Sequence, residues 1–164
     1  MRKKLFGEPY PLPHNESLLE PEKRLCEYFK FAIVRNPWSR MVSNWRMFTT
    51  QSFRVAQLAS MTDQDLSSFS DFCEFAVHNP NHHWQPQVHF LPDPVDYLGR
   101  MECMEEALRM IAARITGFDS QNVVTNRTHL SADPLDYRAF YDNYTLELVT
   151  KFYRQDIDRF GYKF

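Results

Sequence analysis

Arg35 is where the chemistry of this chain can be read first. It follows Phe31, Ala32, Ile33 and Val34, a short apolar run of the kind that fills a buried strand, and it precedes Asn36 and Pro37. Beyond the proline, Trp38, Met41, Val42 and Trp45 recur at helical spacing. A strand that ends in an arginine and turns at once into a helix sets a cation at the strand's carboxyl end, where open α/β sheets bind ligands. Ser43 lies two turns into that helix, with Arg40 a turn before it. A guanidinium fork, a hydroxyl and the amides of a helix N-terminus together suit a phosphate. The competing reading is an arginine that caps or salt-bridges, and residue types alone leave both open.

A second group is the histidines His82, His83 and His89, in the irregular stretch "NPNHHWQPQVHFLPDP" (79–94) with its four prolines. An imidazole titrates near neutrality and can serve as a general base. Beside Trp84 and Pro86 it can equally pack and pin the loop. A metal would need carboxylate or thiolate partners at ligand spacing, and the sequence shows none. Glu102, Glu105 and Glu106 fall in the first turn of a predicted helix, where acidic side chains complement the macrodipole. Asp156 and Asp158 read as the solvated face of a last helix, and Phe152, Phe160, Tyr162 and Phe164 as core.

The elements that must hold these residues follow from periodicity. Residues 1–16 read as a polar, proline-bearing extended arm, and 17–28 as a helix with Pro21 in its first turn. A strand is expected at 29–34 and a helix from about Pro37 to Phe48, with the proline at its first position. "DLSSFSDFCEFAVHN" (65–79) places Leu66, Phe69, Phe72, Cys73 and Ala76 on one helical face. A second strand is expected at 95–101, a helix at 102–117 stopped by Gly117, a third strand at 122–125 and a final helix at 145–160. Strands alternating with helices imply an α/β class with a parallel sheet flanked by helices.

With 164 residues, the chain is expected to form a single domain, 1–164, able to bury a core without disulfides. Its 43% hydrophobic and 24% charged residues exclude a disordered chain. The net charge of −2 supplies no overall basic field, so nucleic acid is not an expected partner. Cys26, Cys73 and Cys103 are too few and scattered for a disulfide framework and read as free, buried thiols. No apolar run approaches the roughly 18 residues of a membrane span, and "MRKKLFGEPYPLP" lacks the apolar centre of a secretory signal. Sequons at Asn15, Asn126 and Asn143 leave the compartment open.

The stretch "KFAIVRNPWSRMVSNW" (30–45) closely resembles the 3′-phosphate-binding motif of the carbohydrate sulfotransferases, Golgi-type enzymes that use 3′-phosphoadenosine 5′-phosphosulfate (PAPS). The resemblance continues in order through "HWQPQVHFL" (83–91), "VDYLGRMECMEEAL" (95–108), "NRTHLSADPLDYRAFYD" (126–142) and "LVTKFYRQDIDRFGYKF" (149–164). It implies a P-loop-like α/β fold, PAPS as donor, no metal, and an acceptor hydroxyl that is usually on a glycan. Arg35 and Ser43 match the pair that holds the donor's 3′-phosphate. Asn126, Arg127 and Thr128 match the segment that closes over the nucleotide. His83 matches the histidine of the family's "HW.PQ" block and is the candidate base. The resemblance also implies a Golgi-lumenal, membrane-associated setting in a eukaryote, or the cytoplasm in a bacterium.

One family block has no counterpart. Upstream of Phe29 there is no strand followed by a Lys-x-Gly/Ala-Thr/Ser run to cradle the 5′-phosphosulfate, and Lys3 and Lys4 lack such a setting. The domain therefore reads as N-terminally incomplete, either a piece of a longer protein or a member that keeps half the donor site. Transfer by this chain alone is in doubt on that reading. The alternative is a non-catalytic relative that binds an adenine nucleotide or a sulfated glycan.

Overall fold

The computed structural model describes residues 28–91, 94–115, 117–118 and 136–164. The expected arm, nearly all of the helix at 17–28, the strand at 122–125 and the pair Arg127 and Thr128 lie outside these residues.

Two short strands, β1 (Phe31–Val34) and β2 (Tyr97–Arg100), pair in parallel, with Phe31 opposite Tyr97 and Val34 opposite Arg100. Parallel neighbours require a crossover connection, and helices supply it here. Helices α1 (Pro37–Thr50), α2 (Ser52–Ala59) and α3 (Phe69–His78) lie between the strands, followed by a 3-10 turn at Gln87–Phe90. After β2 a tight turn (Met101–Cys103) leads into α4 (Met104–Ala112). A further 3-10 turn (Tyr137–Phe140) precedes α5 (Asn143–Phe152) and α6 (Arg154–Phe160). The class is α/β, with a small parallel sheet among helices.

The start of α1 follows from its sequence. Asn36 caps it by accepting the Ser39 N–H on its side-chain oxygen at 3.0 Å, and Pro37 occupies the first helical position. Trp38, Met41 and Val42 are buried as the spacing predicts, whereas Trp45 is only partly buried and Phe48 completes the buried stripe. They meet Phe72, Val149 and Tyr153 in the core, around a fully buried Trp84 whose ring takes edge contacts from Phe48 at 5.2 Å and Phe72 at 5.5 Å. Gly99 of β2 lets α4 lie close: a Cβ there would stand 2.8 Å from the Ala107 Cβ.

Several boundaries differ from expectation. The helix expected from residue 65 begins at Phe69, because the Asp65 carboxylate accepts the Ser67 N–H at 2.9 Å and holds a turn instead. Helix α2 gives no strong periodic signal, since Leu58 is its one buried residue, and it was not anticipated. The helix expected at 102–117 is only α4, with Met101–Cys103 wound more tightly and Ala113 closing the end. The expected last helix starts earlier, at Asn143, where Asp142 and Thr145 make a reciprocal capping box. It then breaks at Tyr153, a fully buried residue whose hydroxyl is tied to the Trp84 carbonyl at 2.5 Å. Of the cysteines described, Cys73 is buried but Cys103 is exposed, contrary to the buried reading.

Candidate anion site at the end of the first strand

Arg35 leaves β1 half-buried, and its guanidinium lies over the start of α1. Its Nε–H and one Nη2–H both go to the Ser39 hydroxyl, at 3.1 and 3.0 Å. No carboxylate of the described residues lies within ion-pair distance, so the rest of the fork has no partner among them. Burial lowers the Arg35 pKa, the Glu102 charge opposes that shift and Arg40 adds to it. An arginine stays protonated regardless. The lowered value marks a cation that gains from an incoming anion.

Four residues apart on α1, Ser39 and Ser43 share a helix face. Ser39 engages Arg35, whereas the Ser43 hydroxyl makes no hydrogen bond among the described residues. Guanidinium and free hydroxyl thus stand at successive levels along the first turns of the helix. The amides expected to help are largely committed. The Asn36 N–H donates to Glu102 Oε1 at 2.6 Å, Pro37 has none, and the Ser39 N–H is taken by the Asn36 cap. Arg40 is committed as well, donating to the Gln85 and His83 carbonyls at 2.8 Å each. Any anion here is held mainly by side chains.

The backbone under Arg35 is held from several directions. Gln87 accepts the Arg35 N–H on Oε1 and donates Nε2–H to the Arg35 carbonyl, each at 2.9 Å. The Asp156 carboxylate accepts the Gln87 N–H at 2.8 Å, the Val88 N–H at 2.9 Å and a Gln87 side-chain N–H at 3.3 Å. The Tyr162 hydroxyl donates to Glu102 Oε2 at 3.0 Å and also lies 3.3 Å from the Val34 carbonyl. Asp156 is fully buried, which corrects its reading as a solvated helix position. Asp158 keeps that reading, exposed beside Arg154. Glu102, read only as a helix-dipole partner, holds the turn at Asn36 from a tight turn ahead of α4.

Comparison with protein families pairs residues 11–163 of the chain with the sulfotransferase family. The chain belongs to that family. No curated protein and no solved structure matches it. The match spans every element described above, so the arginine at the end of β1 is read as part of a sulfotransferase. Sulfuryl transfer is the reaction that the family carries out.

Within this sulfotransferase, His83 sits in a confined setting. Its Nε2 lies 3.1 Å from Arg54 Nη1, and its ring meets Phe48 edge-on at 5.0 Å and His82 at 3.9 Å. An arginine can only donate, so Nε2 is the accepting nitrogen. Burial, with His82, Arg54 and Arg40 adding positive charge nearby, pushes its pKa down to about 4. The His83 carbonyl takes bonds from Arg40 and, at 3.2 Å, from Asn44. His82 and His89 are exposed. Among the described residues no group of His, Cys, Asp and Glu is placed to hold a metal ion, and no helix is long and apolar enough to cross a membrane.

An open cavity of about 470 Å³ lies elsewhere, between the end of α1, α2 and the turn before α3, lined by Phe48, Val55, Leu58, Asp63, Asp65 and Leu66 among others. It does not include Arg35, Ser39 or Ser43. Sequence reasoning missed Ser39, Gln87, Asp156 and Tyr162 as supports of the site. Ser39 could have been found from its place four residues after Arg35. Gln87 lies inside a recognisable block, but nothing in its type announces that it grips a backbone.

Proposed function

We propose that the chain is a PAPS-dependent carbohydrate sulfotransferase domain with a P-loop-like architecture, in which Arg35 and Ser43 hold the donor's 3′-phosphate. The observation that carries the reading is Arg35 itself, a half-buried guanidinium at a strand's carboxyl end with no carboxylate partner among the described residues. One neutral hydroxyl orients it and another stands free a turn further on. A dianion supplies the charge that such a cation lacks, and the fork suits its oxygens. In the reaction, the sulfur–oxygen bond to the donor phosphate breaks while a bond from the acceptor oxygen to sulfur forms. The hydroxyl proton leaves to a base. Arg127 and Thr128 are proposed to close over the nucleotide, and the acceptor is proposed to be a glycan in the Golgi lumen or, in a bacterium, one met in the cytoplasm.

The state of His83 favours a second reading, a relative that binds the nucleotide or a sulfated glycan without turnover. An imidazole already accepting from Arg54 and titrating at about 4 is a weak base. Two measurements on one preparation separate the readings: calorimetric titration with adenosine 3′,5′-bisphosphate, and transfer of labelled sulfate from PAPS to a panel of glycans. Binding with transfer supports the enzyme, and binding without transfer supports the second reading. Arg35→Ala should weaken bisphosphate binding by about 2–4 kcal/mol, the cost of leaving a charged partner unpaired at a partly buried site. Unchanged affinity in that variant would refute the assignment of the site.

A further inference from the structure

β1 ends at Val34, and the pairing with β2 ends there too, with Val34 opposite Arg100. At Arg35 the sheet no longer supplies main-chain partners. Gln87 takes its place, with one carboxamide satisfying both the N–H and the C=O of Arg35 at 2.9 Å. A primary amide can accept and donate in one plane in this way, which an ionised carboxylate of the same shape cannot. Gln87 is not free to turn, because its side-chain N–H also reaches Asp156 and its backbone N–H is held by the same carboxylate. Asp156 is fully buried, and no ion pair joins it to a cation among the described residues. Burying a carboxylate without a counter-ion is costly. The return is a fixed carboxamide under Arg35, the cation of the proposed 3′-phosphate site.

Resting on the function proposed above, we infer that Gln87 and Asp156 are positioning residues for nucleotide recognition: Asp156 fixes Gln87, and Gln87 fixes the direction in which the Arg35 guanidinium leaves the strand. Neither touches the nucleotide. Their effect is therefore confined to what Arg35 recognises, the 3′-phosphate, and spares the rest of the ligand. A purely structural pair would behave differently, since lost folding weakens every ligand by the same factor.

Adenosine 3′,5′-bisphosphate and adenosine 5′-monophosphate differ only in that phosphate, so the ratio of their affinities reads the 3′-phosphate site of Arg35 and Ser43, and the Arg35→Ala background isolates the part that runs through Arg35. By calorimetry on the full chain, Gln87→Met should weaken the bisphosphate about tenfold, as for a charged group misaimed by a fraction of an ångström, and the monophosphate less than about twofold. In an Arg35→Ala background, Gln87→Met should add almost nothing, because the residue it acts through is gone. Asp156→Asn, which keeps shape and one acceptor, should give the same selective loss in smaller degree. It decides the matter if circular dichroism shows that Gln87→Met does not fold. Equal losses for both nucleotides, or full additivity with Arg35→Ala, would overturn the positioning role while leaving the phosphate site standing. If the unaltered chain does not distinguish the two nucleotides, or Arg35→Ala leaves that ratio unchanged, the phosphate site itself fails and the inference falls with it.

Discussion

The most informative perturbation is acidification of the unaltered chain beside His83→Asn. His83 is held neutral by burial and by the positive charge of His82, Arg54 and Arg40, which brings its pKa from the ordinary 6.5 to about 4. Between those values the unfolded chain binds a proton at this position that the folded chain refuses. Stability from the neutral imidazole is therefore complete above about pH 6.5 and is lost as the pH falls towards 4. Without screening, such a displacement corresponds to about 3 kcal/mol. His83 is partly exposed, and solvent screening reduces the figure to about 1–2 kcal/mol. That agrees with the cost of losing its bond from Arg54 and its packing on Phe48, also about 1–2 kcal/mol for His83→Asn at pH 7. Urea unfolding from pH 7 to pH 4 should show the unaltered chain starting more stable and the difference closing on acidification. A difference constant with pH would show that His83 is not held neutral. A catalytic base would instead lose turnover about 10²-fold with donor affinity and melting temperature intact. That outcome would refute the view of His83 as a residue that pins its loop.

Three further outcomes test other parts of the structure. Ser43→Ala should weaken bisphosphate binding by about 1 kcal/mol in calorimetry without changing the melting temperature, because its hydroxyl supports nothing else among the described residues. Tyr153→Phe should cost about 1–2 kcal/mol in urea unfolding, since it leaves the buried Trp84 carbonyl without its donor. Gly99→Ala should destabilise by about 1–3 kcal/mol, because the new methyl would stand 2.8 Å from the Ala107 Cβ and must push α4 off the sheet; a neutral result would mean that the helix is not seated there.

What was legible in the sequence depended on how local its cause was. The turn from β1 into α1 is written in adjacent residues: an apolar run, an Asn that caps, and a Pro at the first helical position. Most of the buried stripe of α1 and the presence of β2, though not its first residue, were recoverable for the same reason. Residues whose roles depend on distant partners were not. Asp156 has an ordinary place in an amphipathic helix, and only the fold brings it under the amides of Gln87 and Val88, nearly 70 positions earlier. The break at Tyr153 has no Gly or Pro to announce it and follows from a hydroxyl bonded 69 positions away. The amides at the start of α1 were expected to face an anion, yet Glu102 and Asn36 take two of them.

That last point bears on which anion the site suits. Glu102 lies near enough to Arg35 to raise its pKa, yet it forms no ion pair with it. Its two oxygens are used by the Asn36 N–H and the Tyr162 hydroxyl, so the carboxylate is held beside the guanidinium without quenching it. Arg40 acts in the opposite sense and is anchored on loop carbonyls. The field at the Arg35 fork is thus that of one unneutralised cation tempered by a fixed acid. A singly charged group gains modestly there and must still be desolvated. A phosphate monoester carries close to two charges and three acceptor oxygens, so it gains more from the same fork and from the free Ser43 hydroxyl. Glu102 opposes any anion in proportion to its charge, so in the proposed site the preference for phosphate must come from the Arg35 fork and the Ser43 hydroxyl, against the acid beside them.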